Sequence, residues 1–351
     1  MDKEVVIVTG SCGRIGTRVV KKLGEKYQIV GFELLKAIYA STHEELVPVD
    51  LSSDESVAQA FIHIKNTYGT KIASVIHLAA YYSFAQKHSP LYEAVTVKGT
   101  ERLLKALQDF QVEQFLFTST MLVHAPTTPG KPITEDDPLC PTWDYPLSKV
   151  HTEKLIAEKK GNIPSVLLRV AGVYDDLCHS IPISNQIQRI YEKQLQAHLF
   201  PGNTAHGSSF VHMDDLIDAI ALAVDKRNSL PKTLPLLIGE PKTMSYDAIQ
   251  KEISLLLYNR NFTTLRIPKI IAKIGAWAEC ALSFKHKPFI RPWMIDFADD
   301  HYELDITRAK KRLGWTPHYS LEETLPKMLD SLKKDPIEWY KINGLHGLGT
   351  K

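Results

Sequence analysis

Three polar residues, Thr120, Tyr145 and Lys149, have the types and spacing of a proton-transfer site. Tyr145 follows Thr120 by 25 residues, and Lys149 lies four residues after the tyrosine. Residues four apart on a helix share a face at a separation of ~6 Å, so the ammonium can lie beneath the phenol. A nearby cation lowers the pKa of a tyrosine, which is near 10 when free. We therefore expect Tyr145 to act as an acid/base, with Thr120 hydrogen-bonding the reacting oxygen.

The glycine-rich segment Thr9–Gly16 follows an apolar run and precedes a helical pattern. Its G-x-x-G-x-x-G spacing gives a tight turn, a close approach of the backbone to a ligand, and a helix lying close to a sheet. The free N–H groups at the helix start attract phosphate. A glycine triplet alone also occurs in ordinary turns, but this context favours a diphosphate. The predicted contacts are Gly10, Cys12, Gly13, Arg14, Ile15 and Gly16.

An acidic residue, Glu33, ends the second apolar run, 23 residues after Gly10. A carboxylate at this place can accept hydrogen bonds from both adenosine ribose hydroxyls. It would also repel the 2′-phosphate of NADP, and Lys36 is three residues too far along the chain to compensate. The pattern therefore predicts NAD as the cofactor, although a surface glutamate at a strand end would look the same in sequence.

Further cofactor contacts are predicted where the third and fourth strands end. Asp50 can accept from the adenine amino group, and Leu51 can pack on the adenine ring. Small side chains after the fourth strand would let the cofactor lie close to the sheet, and the residues concerned are Leu78, Ala79 and Ala80. Lys149 can in addition bind the nicotinamide ribose. His77 is expected to be a packed, hydrogen-bonded histidine and not an acid or base.

Short β-branched runs alternate with helical patterns over the first half of the chain. The predicted strands are Glu4–Thr9, Gln28–Glu33, Leu46–Val49, Ala73–Leu78, Gln114–Ser119 and Ser165–Val170. The predicted helices are Arg14–Leu23, a helix capped within residues 52–55 that continues to about Tyr68, Leu91–Phe110 and Pro146–Lys160. This alternation predicts an α/β fold with a doubly wound parallel sheet, a Rossmann fold.

The alternation fades after about residue 175. We expect residues 1–175, with 207–226 returning to them, to form the dinucleotide-binding domain. Residues 176–206 and 227–330 are expected to form a smaller C-terminal substrate-binding lobe, and residues 331–351 a tail. An aromatic stretch in this lobe, with Phe289, Trp293 and Phe297, suits either an apolar substrate or ordinary core packing.

Composition limits the partners of this 351-residue chain. Lys plus Arg is 42 and Asp plus Glu is 40, and the net charge of +2 gives no reason to expect nucleic acid. Four scattered cysteines, without a Cys-x-x-Cys pair, predict neither a metal site nor a disulfide framework, which favours a cytoplasmic location. Lysines interrupt the apolar stretch Ile267–Phe284, so an integral membrane segment is not expected. Peripheral membrane contact there stays open, and a helix packed on the core is favoured.

Taken together, these motifs resemble the extended short-chain dehydrogenase/reductase family, the NAD-dependent epimerase/dehydratase group. The resemblance extends over nearly the whole chain, on Thr9–Gly16, His77–Ala80, Val97–Thr100, Phe117–Thr120, Tyr145–Lys149, Leu168–Tyr174, Phe210–Leu216 and Tyr302–Pro317. It implies NAD as cofactor, catalytic positions at Thr120, Tyr145 and Lys149, and Val170 beside the nicotinamide carboxamide. It also implies a homodimer formed through helices Leu91–Phe110 and Pro146–Lys160.

Some positions depart from the family pattern. Ser208 and Ser209 precede Phe210 where nucleotide-sugar epimerases typically have Arg-Asp, so an arginine for a diphosphate is missing there. Thr96 stands where many relatives have asparagine, which puts the usual proton relay in doubt. The segment Phe210–Leu216 is closer in style to hydroxysteroid dehydrogenases and flavonol-type reductases.

Three functions remain open at this point. The leading one is an NAD-dependent oxidoreductase that transfers hydride between nicotinamide C4 and a small-molecule secondary alcohol or ketone. The alternative is a nucleotide-sugar epimerase or dehydratase with tightly bound NAD that is recycled within one turnover. The third is a non-catalytic NAD-responsive binding protein, against which the presence of Thr120, Tyr145 and Lys149 argues.

Overall fold

The computed structural model describes residues 3–34, 44–83, 88–282 and 289–347. The strands are β1 Val5–Thr9, β2 Gln28–Glu33, β3 Glu44–Pro48, β4 Lys71–Ile72, β5 Ser74–His77, β6 Gln111–Val112, β7 Phe115–Thr120, β8 Ser165–Val170, β9 Gly172–Tyr174, β10 Leu199–Pro201, β11 Phe210–His212, β12 Thr233–Ile238 and β13 Leu265–Ile267. The helices are α1 Arg14–Leu23, α2 Asp54–Tyr68, α3 Lys98–Leu107, α4 Asp144–Lys159, α5 Ile181–Tyr191, α6 Met213–Asp225, α7 Tyr246–Tyr258, α8 Lys269–Leu282, α9 Thr307–Leu313, α10 Leu321–Lys334 and α11 Pro336–Ile342.

Seven strands form one parallel sheet in the order β12-β8-β7-β5-β1-β2-β3. The chain adds β2 and β3 on one side of β1 and then continues with β5 on the other side. Loops from β1 and β5 therefore leave the sheet in opposite directions and open a crevice at the carboxyl ends of the strands. The predicted doubly wound α/β fold is confirmed, and the crevice is where such a fold binds its ligand.

The strands are apolar on both faces because helices cover both sides of the sheet. All five residues of β1 are buried, and so are all six residues of β7 and all six of β8. One apolar cluster on the α1 and α6 side contains Val19 and Leu216, and another on the α2 and α3 side contains Phe61 and Leu103. The two clusters hold the sheet rigid, so the strand ends are fixed relative to one another.

The helix predicted over Leu91–Phe110 is divided in two. Residues Tyr92–Val97 form a π-helical turn, in which the N–H of Lys98 reaches the carbonyl of Glu93, and α3 continues from there. Such wide turns insert one residue into a helix and are frequent at functional sites. Here the turn packs against α4, the helix that carries Tyr145.

Strand β12 differs from the predicted division, which assigned residues 227–330 to the lobe. It pairs with β8 and forms one edge of the central sheet, with Pro235 in its middle. A proline lacks the N–H needed by a central strand but is tolerated at an edge. The proline in Thr-Leu-Pro-Leu-Leu-Ile argued against a strand in a prediction from sequence pattern alone. The sheet tolerates this proline because β12 lies at its edge.

A third apolar cluster lies outside the sheet and joins α5, α7, α10 and α11. Residues 336–342, predicted as part of a tail, form α11, whose Trp339 and Tyr340 are each 1% exposed. Within the described ranges, none of the helices has the length and apolar character needed to cross a bilayer.

Candidate functional site

The glycine-rich segment turns from β1 into α1 with no room for side chains. Gly10 has a φ of +71°, which favours glycine. A Cβ on Gly16 would lie 2.1 Å from the carbonyl oxygen of Gly10, so only glycine fits there. Helix α1 has no side-chain cap at Gly13 and no acidic residue in its first turn. Its first N–H groups are therefore open to an anion, as a diphosphate requires.

Glu33 lies beside this turn at the end of β2. Its Oε2 accepts a hydrogen bond of 3.2 Å from the N–H of Cys12, and its Oε1 accepts one of 2.9 Å from Leu34. A carboxylate is thus held next to the glycine turn, where an adenosine ribose of a dinucleotide would lie. Lys36 is outside the described residues.

The other predicted cofactor residues gather at the same edge of the sheet. Ala79 approaches Gly10, since a Cβ on that glycine would be 3.1 Å from the Ala79 nitrogen. Leu51 lies against Gly99, because a Cβ on Gly99 would contact the Leu51 side chain. Leu78, Ala79 and Ala80 are all half-buried. Asp50 was predicted to accept from the adenine amino group, but its Oδ1 already accepts hydrogen bonds from the N–H and the hydroxyl of Ser52.

Two residues near this edge are held by the protein itself. His77 is fully buried, and its two ring nitrogens bond to the hydroxyls of Thr9 and Thr100 at 2.7 and 2.8 Å. Burial lowers the pKa of His77 to about 3, so it stays neutral, as predicted for a packed histidine. Arg14 extends from α1 to the carbonyl of His179, 3.2 Å away. The uncapped helix start, the glycine cradle and the adjacent carboxylate fit a dinucleotide.

Tyr145 and Thr120 are brought together by the packing of α4 against β7. The Thr120 hydroxyl is near enough to the Tyr145 phenol to oppose part of the rise in its pKa, and it accepts a hydrogen bond from the N–H of Leu122. Val170 pairs with Thr120 in the register between β7 and β8. A hydroxyl, a phenol and a strand end thus converge at the carboxyl edge of the sheet, where a bound substrate oxygen could contact both side chains.

Lys149 is buried one helical turn from Tyr145, and its Nζ lies 5.9 Å from the centre of the Tyr145 ring. Its Nζ donates a hydrogen bond of 2.7 Å to the carbonyl of Thr118 and lies 4.6 Å from the ring centre of Phe117. Burial lowers the pKa of Lys149 to about 7 and raises that of Tyr145 to about 12. The expected lowering of the tyrosine pKa by the lysine is therefore wrong for this structure, because both groups are removed from water and desolvation dominates.

An ion pair that the sequence analysis missed lies directly beneath this site. Arg169 on β8 and Glu153 on α4 meet at 2.8 Å, with side chains 6% and 5% exposed. Glu153 also accepts a 2.5 Å hydrogen bond from Ser119, and Arg169 donates to His124. The network joins β7, β8 and the helix of Tyr145. A charged residue within an apolar strand, such as Arg169, is the signal that could have predicted a buried acidic partner.

A group of aromatic rings surrounds Tyr145 and was also missed. The ring centres of Tyr82 and Trp143 lie 4.7 and 5.4 Å from that of Tyr145, and Trp293 lies 5.4 Å from Trp143. Tyr82 lies two residues after Ala80, the last of the predicted small residues that follow β5, and Trp143 precedes Tyr145 by two positions. The rings give the phenol a largely aromatic surrounding, in which Tyr82 is 45% exposed and Tyr145 is half-buried.

A cavity of about 720 Å³ extends from this aromatic group into the lobe. Leu122 and Trp143 line it near Thr120 and Tyr145, and Phe289, Trp293 and Phe297 line it further away. The aromatic stretch noted in the sequence therefore borders a cavity. Such a volume matches that of a small-molecule site.

The sequence matches the model of the NAD dependent epimerase/dehydratase family over residues 6–239. The match covers the glycine turn, Glu33, the Thr120–Tyr145–Lys149 group and the strands that position them. The chain belongs to this family. Family membership confirms the resemblance to the extended short-chain dehydrogenase/reductases, and it confirms the predicted NAD-dependent enzyme.

Relatives in this family have different activities. UDP-glucose 4-epimerase of Vibrio cholerae is 25% identical over 325 residues, covering 91% of this chain and 92% of that protein. The mouse 3 beta-hydroxysteroid dehydrogenase type 7 is 24% identical over 360 residues, covering 91% and 93%. The structure of dTDP-glucose 4,6-dehydratase from Bacillus anthracis in complex with NAD matches with a TM-score of 0.71 at 18% identity, over 97% of this chain and 99% of that one. The last similarity shows the shared fold.

Proposed function

We propose that this enzyme is an NAD-dependent oxidoreductase that interconverts an apolar secondary alcohol and its ketone. The observation that carries the proposal is the apolar cavity of about 720 Å³ beside Tyr145. Its walls consist mainly of aliphatic and aromatic side chains, among them Leu199, Phe200, Ile267, Ile271, Met294 and Ile295. Apolar walls favour a ligand whose surface is apolar, because burying that surface is the main source of affinity.

The charges around the cavity argue against a nucleotide sugar. Its ionisable lining within the described residues includes one guanidinium, Arg189, and two carboxylic acids, Glu279 and Asp300. Burial raises the pKa of Asp300 to about 6. Ser208, which lines the cavity, and Ser209 occupy the positions where an epimerase typically has Arg-Asp. A diphosphate carries two negative charges and needs cationic partners, which this lining supplies poorly.

We infer that the cofactor is held by the residues of the crevice. The N–H groups that open α1 would bind the diphosphate, and Glu33, whose Oε2 accepts from the Cys12 N–H, would bind the adenosine ribose. Contacts from Asp50, Leu51, Leu78, Ala79 and Ala80 would enclose the adenine side, with Val170 on the nicotinamide side. When bound, NAD supplies hydride transfer at its nicotinamide C4.

The protein's own contribution is to hold and move one proton. Tyr145 would donate its phenolic proton to the carbonyl oxygen during reduction, and accept it back during oxidation. Thr120 would hydrogen-bond the same oxygen and orient it. Lys149, anchored on the Thr118 carbonyl, would fix the nicotinamide ribose, and the aromatic rings around the phenol would exclude water.

The pH dependence should differ between the two directions. Because burial raises the pKa of Tyr145 to about 12, the phenol stays protonated across the neutral range. Ketone reduction needs that proton, which the phenol can supply throughout about pH 6 to 9, so a fall in its kcat/KM within this range would report deprotonation of Lys149, whose pKa burial lowers to about 7. Alcohol oxidation needs the phenolate, whose fraction increases about tenfold per pH unit in this range. An oxidation rate that peaks near pH 6 would contradict this assignment.

Cofactor preference tests the role of Glu33. The wild-type enzyme should bind NAD about tenfold or more tightly than NADP, because the carboxylate repels a 2′-phosphate. Glu33→Gln removes the charge and keeps an acceptor oxygen, so NADP affinity should rise while NAD affinity falls only modestly. Titrations of both cofactors measure this. Glu25→Gln, an exposed change at the far end of α1, serves as the control.

The reaction class is tested by absorbance at the NADH band. Purified enzyme with NAD and a series of secondary alcohols of increasing apolar size should form NADH, with KM falling as apolar surface increases. UDP-glucose should give neither NADH nor its 4-epimer. Epimerisation of a nucleotide sugar by enzyme that copurifies with NAD, without net redox change, would favour the epimerase alternative instead.

The homodimer stays a prediction that rests on the family resemblance. Helix α4 and the turn before α3 each expose a large apolar residue, Leu147 at 39% and Leu91 at 44%. Burial of these residues between two copies is consistent with an interface through the predicted helices. Sedimentation equilibrium of the wild type and of Leu147→Glu would test it.

A further inference from the structure

Helix α8 exposes large apolar side chains on one of its faces. Ile270, Ile274 and Trp277 lie on one face, at spacings of four and three residues, and are 73%, 63% and 67% exposed. Ile271 and Leu282 are 58% and 74% exposed. Surface helices normally direct such residues toward the core. A stripe of large apolar side chains on one short helix is therefore a feature that needs a partner.

The two lysines of the same helix pair with aspartates near the surface, and their side chains are 36% and 39% exposed. Lys273 pairs with Asp296 at 2.6 Å, and Lys269 pairs with Asp299 at 2.5 Å while donating to the backbone carbonyl of Asp296. The polar side of α8 is thus neutralised against the helical turn Pro292–Phe297 and the residues after it. These ion pairs join α8 to the neighbouring segment while its isoleucines and tryptophan stay on the outer face.

The exposed stripe adjoins the opening of the apolar cavity. Ile271 lines the cavity and is also 58% exposed, and Leu195, another lining residue, is 73% exposed. Ala272 and Ala276 form the inner side of α8 at the cavity wall. The apolar interior of the cavity is therefore continuous with the apolar outer surface of the helix.

We propose that the outer face of α8, defined by Ile270, Ile274 and Trp277, docks on the surface of a lipid bilayer and opens the cavity toward it. The docking itself is independent of the proposed function, and only its use as an access route for an apolar substrate rests on that function. Apolar side chains with a tryptophan would sink into the headgroup and acyl boundary, as in interfacial helices.

The size and charge of the face favour a bilayer over a second copy of the chain. A 14-residue helix is ~21 Å long, and one of its faces covers well under the ~800 Å² per partner of a standard protein interface. A bilayer requires no matching shape. Both lysines of α8 are paired with aspartates, so the described part of this face offers no unpaired lysine to attract anionic lipid. Binding should therefore occur on zwitterionic lipid and change little with salt.

The test is cosedimentation of the full chain with phosphatidylcholine vesicles at about 0.05 and 0.5 M salt. We expect wild-type binding at both salt concentrations. Ile274→Glu should weaken it on the order of tenfold or more, since the side chain can no longer be buried in lipid. The matched control is Ile62→Glu on α2, where the isoleucine is 52% exposed, and its binding should equal that of the wild type. Vesicles with brominated acyl chains should quench fluorescence less in Trp277→Phe than in the wild type.

The outcomes separate docking from catalysis and from self-association. Ile274 is not a lining residue of the cavity, so Ile274→Glu should keep turnover of a water-soluble alcohol. Absence of wild-type binding, or equal losses in Ile274→Glu and Ile62→Glu, would overturn the proposal. So would a wild-type dimer that Ile274→Glu converts to monomer without any vesicle binding. Vesicle binding without NADH formation from any alcohol would leave the docking standing and reject the proposed function.

Discussion

Replacing Tyr145 with phenylalanine is expected to lower turnover by a factor of ~10² to 10⁴, the usual contribution of a positioned acid/base group. The change removes the phenolic oxygen that would carry the proton. It leaves the ring in place among Tyr82 and Trp143, at 4.7 and 5.4 Å, so the fold should be unaffected. Affinity for NAD should also be retained, because the glycine turn and Glu33 are not altered. Steady-state kinetics in both directions and a cofactor titration measure the two effects.

A neighbouring tyrosine provides the matched control. Tyr92 is buried, its ring centre is 6.4 Å from that of Tyr145, and its hydroxyl donates to the Ser83 carbonyl. Tyr92→Phe removes a phenolic oxygen from the same aromatic group, so turnover should change by less than about tenfold. If Tyr145→Phe kept wild-type turnover, or if both variants lost it equally, Tyr145 would not be the acid/base group.

Replacing Arg169 with methionine is expected to lower the free energy of unfolding by about 3–5 kcal/mol. The substitution leaves Glu153, 5% exposed, as a buried charge without its partner. Because Glu153 also binds Ser119 next to Thr120, the helix of Tyr145 should shift and turnover should fall as well. Urea denaturation followed by tryptophan fluorescence measures the stability change.

Two further variants identify the cause of that loss. Arg169→Met combined with Glu153→Met removes both charges and should recover much of the lost stability, because no unpaired charge remains. Arg102→Met breaks the exposed pair with Asp54, whose side chain is 87% exposed, and should cost less than about 1 kcal/mol. A double variant no more stable than Arg169→Met would mean that packing, and not the unpaired carboxylate, causes the loss.

The elements of the cofactor crevice followed from local patterns. Helix α1 and strands β2 and β8 have the predicted bounds, because each is a continuous apolar or periodic run between clear turn residues. The glycine spacing fixed the turn before α1, where a Cβ on Gly16 would collide with the backbone. Strand β12 escaped prediction because Pro235 is acceptable only at a sheet edge, and edge position is a property of the assembled sheet.

The sequence predicted that Thr120, Tyr145 and Lys149 would lie together, but it did not predict the electrostatics of this group. The four-residue spacing of Tyr145 and Lys149 correctly put both on one helix, α4. Sequence could not tell that the lysine would bind the Thr118 carbonyl over the Phe117 ring. The direction of a buried side chain depends on which neighbours pack around it. The resulting loss of water, and not the spacing, determines the pKa of each group.

The sequence by itself determined an alternating α/β chain, a glycine turn for a diphosphate, and the order of hydroxyl, phenol and amine, because these depend on local sterics and short periodicities. The tertiary structure alone decided three further features: the Arg169–Glu153 pair, the apolar cavity and the outward isoleucines of α8. Each of these features depends on contacts between residues that are far apart in the chain. Helical periodicity gives two faces to α8, and only the assembled structure shows that Ala272 and Ala276 line the cavity while Ile270, Ile274 and Trp277 lie outside.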